Sequence, residues 1–260
     1  VMACWAGTAA GMPRIEPGLR NACVFLFHNE NGKDLVGHGT GFLVSLENPT
    51  ADKEDACYLV TARHVLFLDN KPLASLGLRL NKIGGNTEMR KIDMTYEGDK
   101  RNVWFAGDGA DAAIVRIDRP DPAVYAVTLL GPEMILTRQM MAELQIAEGA
   151  EMFFCGMLIH HVGAGRNEAQ LRFGRLSMIA TEKVNWEGGK HDLYLADVAI
   201  FGGSSGSPAF FAWYQDGDET AGGKSGFKLG GIIIGGIQIK TGDVFNNSGI
   251  SAINPAYKVY

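Results

Sequence analysis

The run Gly202-Gly203-Ser204-Ser205-Gly206-Ser207-Pro208 is the part of this chain whose residue types speak most directly of chemistry. Glycine permits positive φ and close backbone approach. A tight loop of such residues can expose a serine hydroxyl and aim several main-chain N–H groups at one point. Nucleophilic catalysis with a stabilised oxyanion needs that combination. The same residues also make ordinary turns, so the partners of the serine have to decide. A nucleophilic serine requires a base and a group that orients the base. Of the six histidines, His64 stands out, because it follows the apolar run Cys57-Tyr58-Leu59-Val60-Thr61 that would hold its ring at a strand end. Asp111 opens the apolar run Asp111–Ile117, a place where a carboxylate can sit at a strand mouth. Its neighbour Asp108, in Gly107-Asp108-Gly109, reads instead as a turn tip.

Chain order separates the mechanisms. Gly202-Gly203-Ser204-Ser205-Gly206 also fits Gly-x-Ser-x-Gly, which would make Ser204 the nucleophile of an α/β-hydrolase. That fold places its histidine after the serine, and no histidine follows His191. A subtilisin order needs an acid before the histidine and an α/β pattern, which the strand-rich sequence opposes. The order His64, Asp111, Ser205 is that of the chymotrypsin arrangement.

The elements that must position these residues read as strands. Apolar or alternating runs recur at Ala22–His28, Gly41–Leu46, Ala56–Thr61, Ala112–Ile117, Glu151–Leu158, Leu171–Ile179, Asp192–Ile200, Pro208–Trp213 and Leu229–Ile239. They are rich in Val, Ile, Phe and Tyr and are separated by Gly, Asn, Asp and Pro, the spacing of an all-β sandwich or barrel. Pro120-Asp121-Pro122 interrupts the pattern, and Thr137–Leu144 predicts a short helix. Met134, Met140 and Met141 read as packing filler. The expected organisation is an N-terminal β unit over 20–125, a linker over 126–147 and a C-terminal β unit over 148–260. A helical turn is expected in Asn254–Tyr260.

Composition bounds the rest. The chain has 260 residues, 46% hydrophobic and 20% charged, with 34 glycines, as expected of a globular protein rich in turns. A net charge of −5 with no basic run argues against nucleic acid as a partner. No apolar run approaches the roughly 18 residues of a membrane span. The four cysteines, Cys4, Cys23, Cys57 and Cys155, are scattered without a Cys-x-x-Cys pair, so structural zinc is not expected. Cys23, Cys57 and Cys155 lie in apolar runs, where a buried thiol is the default; the pattern neither requires a disulfide nor rules one out. Val1–Met12 fits either the trimmed end of an export signal or an N-terminal arm.

Four segments together resemble the trypsin-like serine endopeptidases, in particular the bacterial branch with HtrA-type catalytic domains. They are Gly39-Thr40-Gly41-Phe42-Leu43-Val44, Thr61-Ala62-Arg63-His64-Val65, Asp111-Ala112-Ala113-Ile114-Val115 and Gly203-Ser204-Ser205-Gly206-Ser207-Pro208. Leu229-Gly230-Gly231-Ile232 resembles the strand that lines the substrate cleft, and Gly249–Pro255 the last strand. The resemblance implies two antiparallel β-barrels with the active site between them. It implies Ser205 as nucleophile, His64 as general base and acid, and Asp111 as the group that fixes the imidazole. The N–H groups of Gly203 and Ser205 would form the oxyanion hole. A polypeptide substrate is implied, with no cofactor and no metal.

Two departures bear on this expectation. Ser204 stands where enzymes activated by zymogen cleavage carry an aspartate, so the loop must be ordered otherwise. Ala199, six residues before the nucleophile, replaces the acid of trypsin itself, and Ile234 replaces a common serine. With Gly235 and Gly236 these residues are the expected substrate-binding set, favouring apolar or small side chains before the scissile bond. The rival expectation is a latent or silent module of the same fold that binds peptides or partners. Gly222-Gly223-Lys224-Ser225 fails as a phosphate loop because Asp218 stands where its first glycine belongs. His160-His161 reads as a solvated loop, and His38 as a residue near the cleft. The chain ends at Tyr260 without a PDZ-like segment, so regulation of that kind is not expected.

Overall fold

The computed structural model describes residues 13–29, 35–46, 56–186, 189–215, 224–241 and 244–259. The segment Val1–Met12, with Cys4, lies outside them, as do Gly222 and Gly223. Nine strands form in the first half: β1 (Cys23–Asn29), β2 (Leu35–Leu46), β3 (Ala56–Thr61), β4 (Phe67–Leu68), β5 (Lys71–Pro72), β6 (Ser75–Asn81), β7 (Thr87–Asp93), β8 (Val103–Phe105) and β9 (Ala113–Ile117). Eight follow: β10 (Glu151–Gly156), β11 (Gln170–Ile179), β12 (Val184–Trp186), β13 (Gly189–His191), β14 (Tyr194–Asp197), β15 (Pro208–Gln215), β16 (Lys224–Thr241) and β17 (Val244–Pro255).

The chain is all-β, as the run spacing predicts. Strands β10-β11-β14-β17-β16-β15 close into an antiparallel barrel. The first half curls into a seven-stranded sheet in the order β7-β6-β1-β2-β3-β9-β8, whose two edge strands do not pair with each other. The physical reason is local. β8 has only three residues, and the β7–β8 connection crosses the seam with Asn102, whose Nδ2 donates to Asp93 O (2.9 Å) while its Oδ1 accepts from Thr95 N (2.7 Å). Side-chain bonds do at one end of the seam what a ladder does in a closed barrel.

Alternation explains which faces are buried. In β3 the residues Cys57, Leu59, Val60 and Thr61 are buried, and β6 is buried from Leu76 to Asn81. One core cluster unites Leu26, Leu43, Leu59, Leu78 and Val115 of the first half with Leu193, Ile234 and Ala252 of the second, so the two halves share apolar packing. Phe153 stacks on Phe210 (centroids 5.0 Å) and meets Phe227 edge-on (4.8 Å) in another cluster. Each fully buried aromatic side chain contributes about 1.5–3 kcal/mol of transfer free energy.

The predicted helix is present as α1 (Arg138–Glu143), started by Thr137, whose Oγ1 accepts from Met140 N at 3.1 Å. A 3-10 turn, Ala256–Lys258, closes the C-terminus.

The cysteines correct the sequence expectation. Cys23 in β1 and Cys155 in β10 form a disulfide (Cα–Cα 6.5 Å) that ties the first sheet to the second barrel. Buried thiols were the default because neither neighbourhood shows a partner 132 residues away. Cys57 is free and buried, and loss of solvation raises its pKa to about 11.

Candidate active site

His64 lies in the 3-10 turn Arg63–Leu66 that directly follows β3. The turn forms because Val65 and Leu66 are buried beneath it, while His64 keeps an exposed side chain (42%). Asp111 sits just before β9, which pairs with β3 through Thr61↔Ala113. That register brings the two strand ends together. Asp111 Oδ2 lies 2.6 Å from His64 Nδ1, and Oδ1 accepts the His64 backbone N–H at 2.9 Å. A carboxylate only accepts, so this contact assigns the ring proton to Nδ1 and leaves Nε2 as an acceptor. Asp111 is 12% exposed, so its charge acts in shielded surroundings.

The loop before Asp111 is braced from the C-terminus. Lys258 Nζ bonds Asp192 (2.6 Å) and Asp108 (3.1 Å). These contacts raise the Lys258 pKa and lower that of Asp192, each mainly through its hydrogen bond to the other. Asp108 has φ 56°, the turn-tip geometry expected of it.

Ser205 belongs to the loop joining β14 to β15, and the loop's bonds fix its shape. Ser204 N donates to Phe201 O (3.0 Å), closing a turn with Gly202 and Gly203 at its centre. Gly203 has φ 93°, a conformation open to glycine and strained for other residues. Gly202 O accepts from Ile159 N (2.9 Å). Since a trans peptide carries its C=O and N–H on opposite sides, the Gly203 N–H faces away from Ile159. Neither that N–H nor the Ser205 N–H donates to a protein acceptor among the described residues. Further along, Gly206 N donates to Ile233 O and Ile233 N to Ser207 O, which welds the loop to β16.

The first sheet completes the loop. Ser205 O accepts from Thr40 N (2.8 Å), and the buried Thr40 Oγ1 donates to Gly203 O (2.7 Å) while accepting from Met157 N (2.8 Å). A Cβ on neighbouring Gly39 would lie 2.8 Å from Val65 and 3.1 Å from Ser205 O. Gly39 thus lets the His64 turn and the serine loop approach from opposite halves. In the sequence Thr40 carries no sign of this bracing role beyond its place between two glycines, Gly39 and Gly41. Ser204, the other serine, is buried (3%) with its Oγ 3.5 Å from Phe201 N.

The expected substrate-binding residues divide. Ala199 lies half-buried in the loop after β14, and Gly235 and Gly236 lie half-buried on β16. Ile234 is buried (1%) in the core shared by the two halves. His38 occupies a bulge in β2, since Leu26 pairs with Gly39 and Phe27 with Gly37. Its ring packs edge-on against buried His28 (4.4 Å), and burial, then the His28 charge, lowers its pKa. No group of three or more His, Cys, Asp or Glu side chains among the described residues could hold a metal ion. No helix there is long and apolar enough to cross a membrane.

Removing the Thr40 hydroxyl should loosen the serine loop. Thr40→Val keeps the shape but leaves Gly203 O and Met157 N unpartnered in a buried site, at a cost of about 1–3 kcal/mol. Thermal unfolding should register that loss. Reactivity at Ser205 should fall by about tenfold or more, and unchanged reactivity would show that the loop does not depend on Thr40.

A seven-stranded curled sheet and a closed barrel, with the histidine–aspartate pair on one and the serine loop on the other, constitute the trypsin-like protease fold. Among solved structures, the protease domain of MamO from Magnetospirillum magneticum in its apo form shares it. The TM-score is 0.55 at 15% identity, covering 93% of this chain and 95% of that one. Rv3671c from M. tuberculosis H37Rv, as a serine-to-alanine mutant in its inactive form, gives a TM-score of 0.48 at 13% identity, covering 93% and 87%. The Rv3671c protease in its inactive form gives 0.47 at 14% identity, covering 93% and 88%. No protein-family model and no curated protein matches the sequence.

Proposed function

We propose that the protein is a serine endopeptidase in which Ser205 attacks the scissile carbonyl. His64 takes the serine proton and returns it to the leaving amine, and Asp111 orients the imidazole. The observation that carries this reading is the pair of bonds from Asp111 to the His64 ring and backbone. They set the tautomer in which Nε2 can accept a proton. The uncommitted N–H groups of Gly203 and Ser205 supply the oxyanion hole, where one donor is worth on the order of 100-fold in rate. An acyl-enzyme forms and water releases it.

A polypeptide suits the cleft because of its strand edge. Among the described residues, Gly235 and Gly236 of β16 have ladder partners in β17 alone. An unpaired edge beside the nucleophile is a template for an extended chain. The cleft favours apolar or small side chains before the scissile bond, since Ala199 offers no charge.

A second reading is a latent form of the same module, favoured by Ser204, which stands where enzymes activated by zymogen cleavage carry an aspartate. A fluorophosphonate probe separates the two. Labelling mapped to Ser205, lost in Ser205→Ala, is the expected result. An unlabelled Ser205, with and without added peptide, would favour the latent module.

A further inference from the structure

The first sheet stays open between β7 and β9, and the gap is a cavity of about 550 Å³ lined from both banks. Asp93 O accepts Asn102 Nδ2 at 2.9 Å, so the backbone of Asp93 points into the gap. The intervening residues of β7 turn to β6, a pattern that continues in Met94, whose N–H donates to Ala74 O. Backbone groups of every second residue in an antiparallel strand share a direction. The N–H and C=O groups of Met89 and Lys91 therefore point into the gap with Asp93, and no backbone partner meets them among the described residues. On the opposite bank, Arg116 N donates to Asn102 O (2.8 Å) where β8 ends. From there β9 continues to Ile117 with β3 as its ladder partner.

The side chains divide by face. Ile92 and Ile117 pack on the core cluster that contains buried Leu78, which gives the gap an apolar floor. Lys91, Lys100 and Arg116 are exposed at its rim. Five cationic side chains and three carboxylates line the gap, a local excess of positive charge in a chain whose net charge is −5. Lys91 bonds Asp93 at 2.7 Å, but both are more than two-thirds exposed, so that pair is weak. Lys100 and Arg116 have no ion-pair partner among the described residues.

We propose that the open seam of the first sheet is a docking site for an extended segment of a partner polypeptide in which acidic residues alternate with apolar ones. A small anion would meet the rim and leave the main-chain groups and the floor unused. An added strand engages all three. Its backbone pairs with Met89–Asp93, as in strand addition to an exposed edge. Its successive side chains fall on opposite faces, so one set covers Ile92 and Ile117 and the other meets Lys91, Lys100 and Arg116. Lysine on an edge also discourages two copies of that edge from pairing, which selects an acidic strand over self-association. None of these residues belongs to the proposed catalytic set, so the inference stands apart from the peptidase reading.

The test is the binding of a fluorescein-labelled peptide of alternating Val and Glu, about six residues long, the usual length of a strand. The full chain carries Ser205→Ala, so that hydrolysis cannot consume the probe. Fluorescence anisotropy should show saturable binding that weakens as salt is raised. A peptide of alternating Val and Lys should bind at least about tenfold more weakly. Reversing the rim with Lys91→Glu and Arg116→Glu should weaken the Val–Glu peptide by about tenfold or more, and Lys100→Glu alone by less. All three positions are exposed, so thermal unfolding should barely move. Amide hydrogen exchange at Met89 and Lys91 should slow when the Val–Glu peptide binds. Absence of binding, equal binding of the two peptides, or binding that rim reversal leaves unchanged would overturn the inference. So would full displacement of the peptide by inorganic phosphate with no slowing of exchange at Met89 and Lys91, the result expected of a small-anion site.

Discussion

On the proposed peptidase mechanism, Asp111→Asn should lower kcat by about 10⁴-fold while leaving the fold intact, the loss this exchange causes in the Ser-His-Asp template. The reason lies in which atom carries the proton. Asp111 Oδ2 accepts from His64 Nδ1 at 2.6 Å, which leaves Nε2 as the acceptor the proposed mechanism needs for the serine proton. An asparagine that presents its amide to Nδ1 makes that nitrogen the acceptor and moves the ring proton to Nε2. The imidazole then cannot serve as a base, and a charged imidazolium has no carboxylate beside it. The second bond survives, because an amide oxygen can still accept the His64 backbone N–H. Thermal unfolding should therefore shift little. Steady-state kinetics on a cleaved peptide, with unfolding as the control, measures both quantities. An Asp111→Asn protein within tenfold of the unaltered one would remove Asp111 from the mechanism.

Loss of the Cys23–Cys155 disulfide should produce the largest change in stability. The bridge closes a segment of 132 residues and links strands of different halves. By loop-closure entropy such a cross-link contributes about 5 kcal/mol through the unfolded chain. For a chain of this size that corresponds to a fall of about 10–20 °C in Tm. The paired exchange Cys23→Ser and Cys155→Ser is the clean variant, because a single exchange leaves a buried thiol. Unfolding of that variant, and of the unaltered chain with and without reductant, gives the effect. An unchanged Tm in both would show that the bridge does not restrain the chain.

Much of the fold was legible because alternation and turn residues are local signals. Ala56–Thr61 is a strand with the predicted bounds, and Thr137 caps the helix read at Thr137–Leu144. Strands β6 and β7 were missed. No residue of the edge strand Thr87–Asp93 is fully buried, and its apolar content is low. The hairpin β12–β13 was missed for a related reason, since three-residue strands give no periodicity to read.

By itself the sequence determined the residue types and their order: an acid before one strand, a histidine after another and a serine among glycines. It also determined the backbone freedom of Gly202–Gly206, which depends on the residues themselves. Tertiary structure alone decided what those residues touch. It joined Asp111 to His64 through the β3–β9 register and braced the serine loop with Thr40 from the opposite sheet. It turned two scattered cysteines into a cross-link, buried Ile234 in the core shared by the two halves, and brought Trp186 and Ile200 to Gly235 and Gly236. Contacts between residues far apart in the chain depend on how strands are registered and how sheets pack. Local patterning carries no record of either.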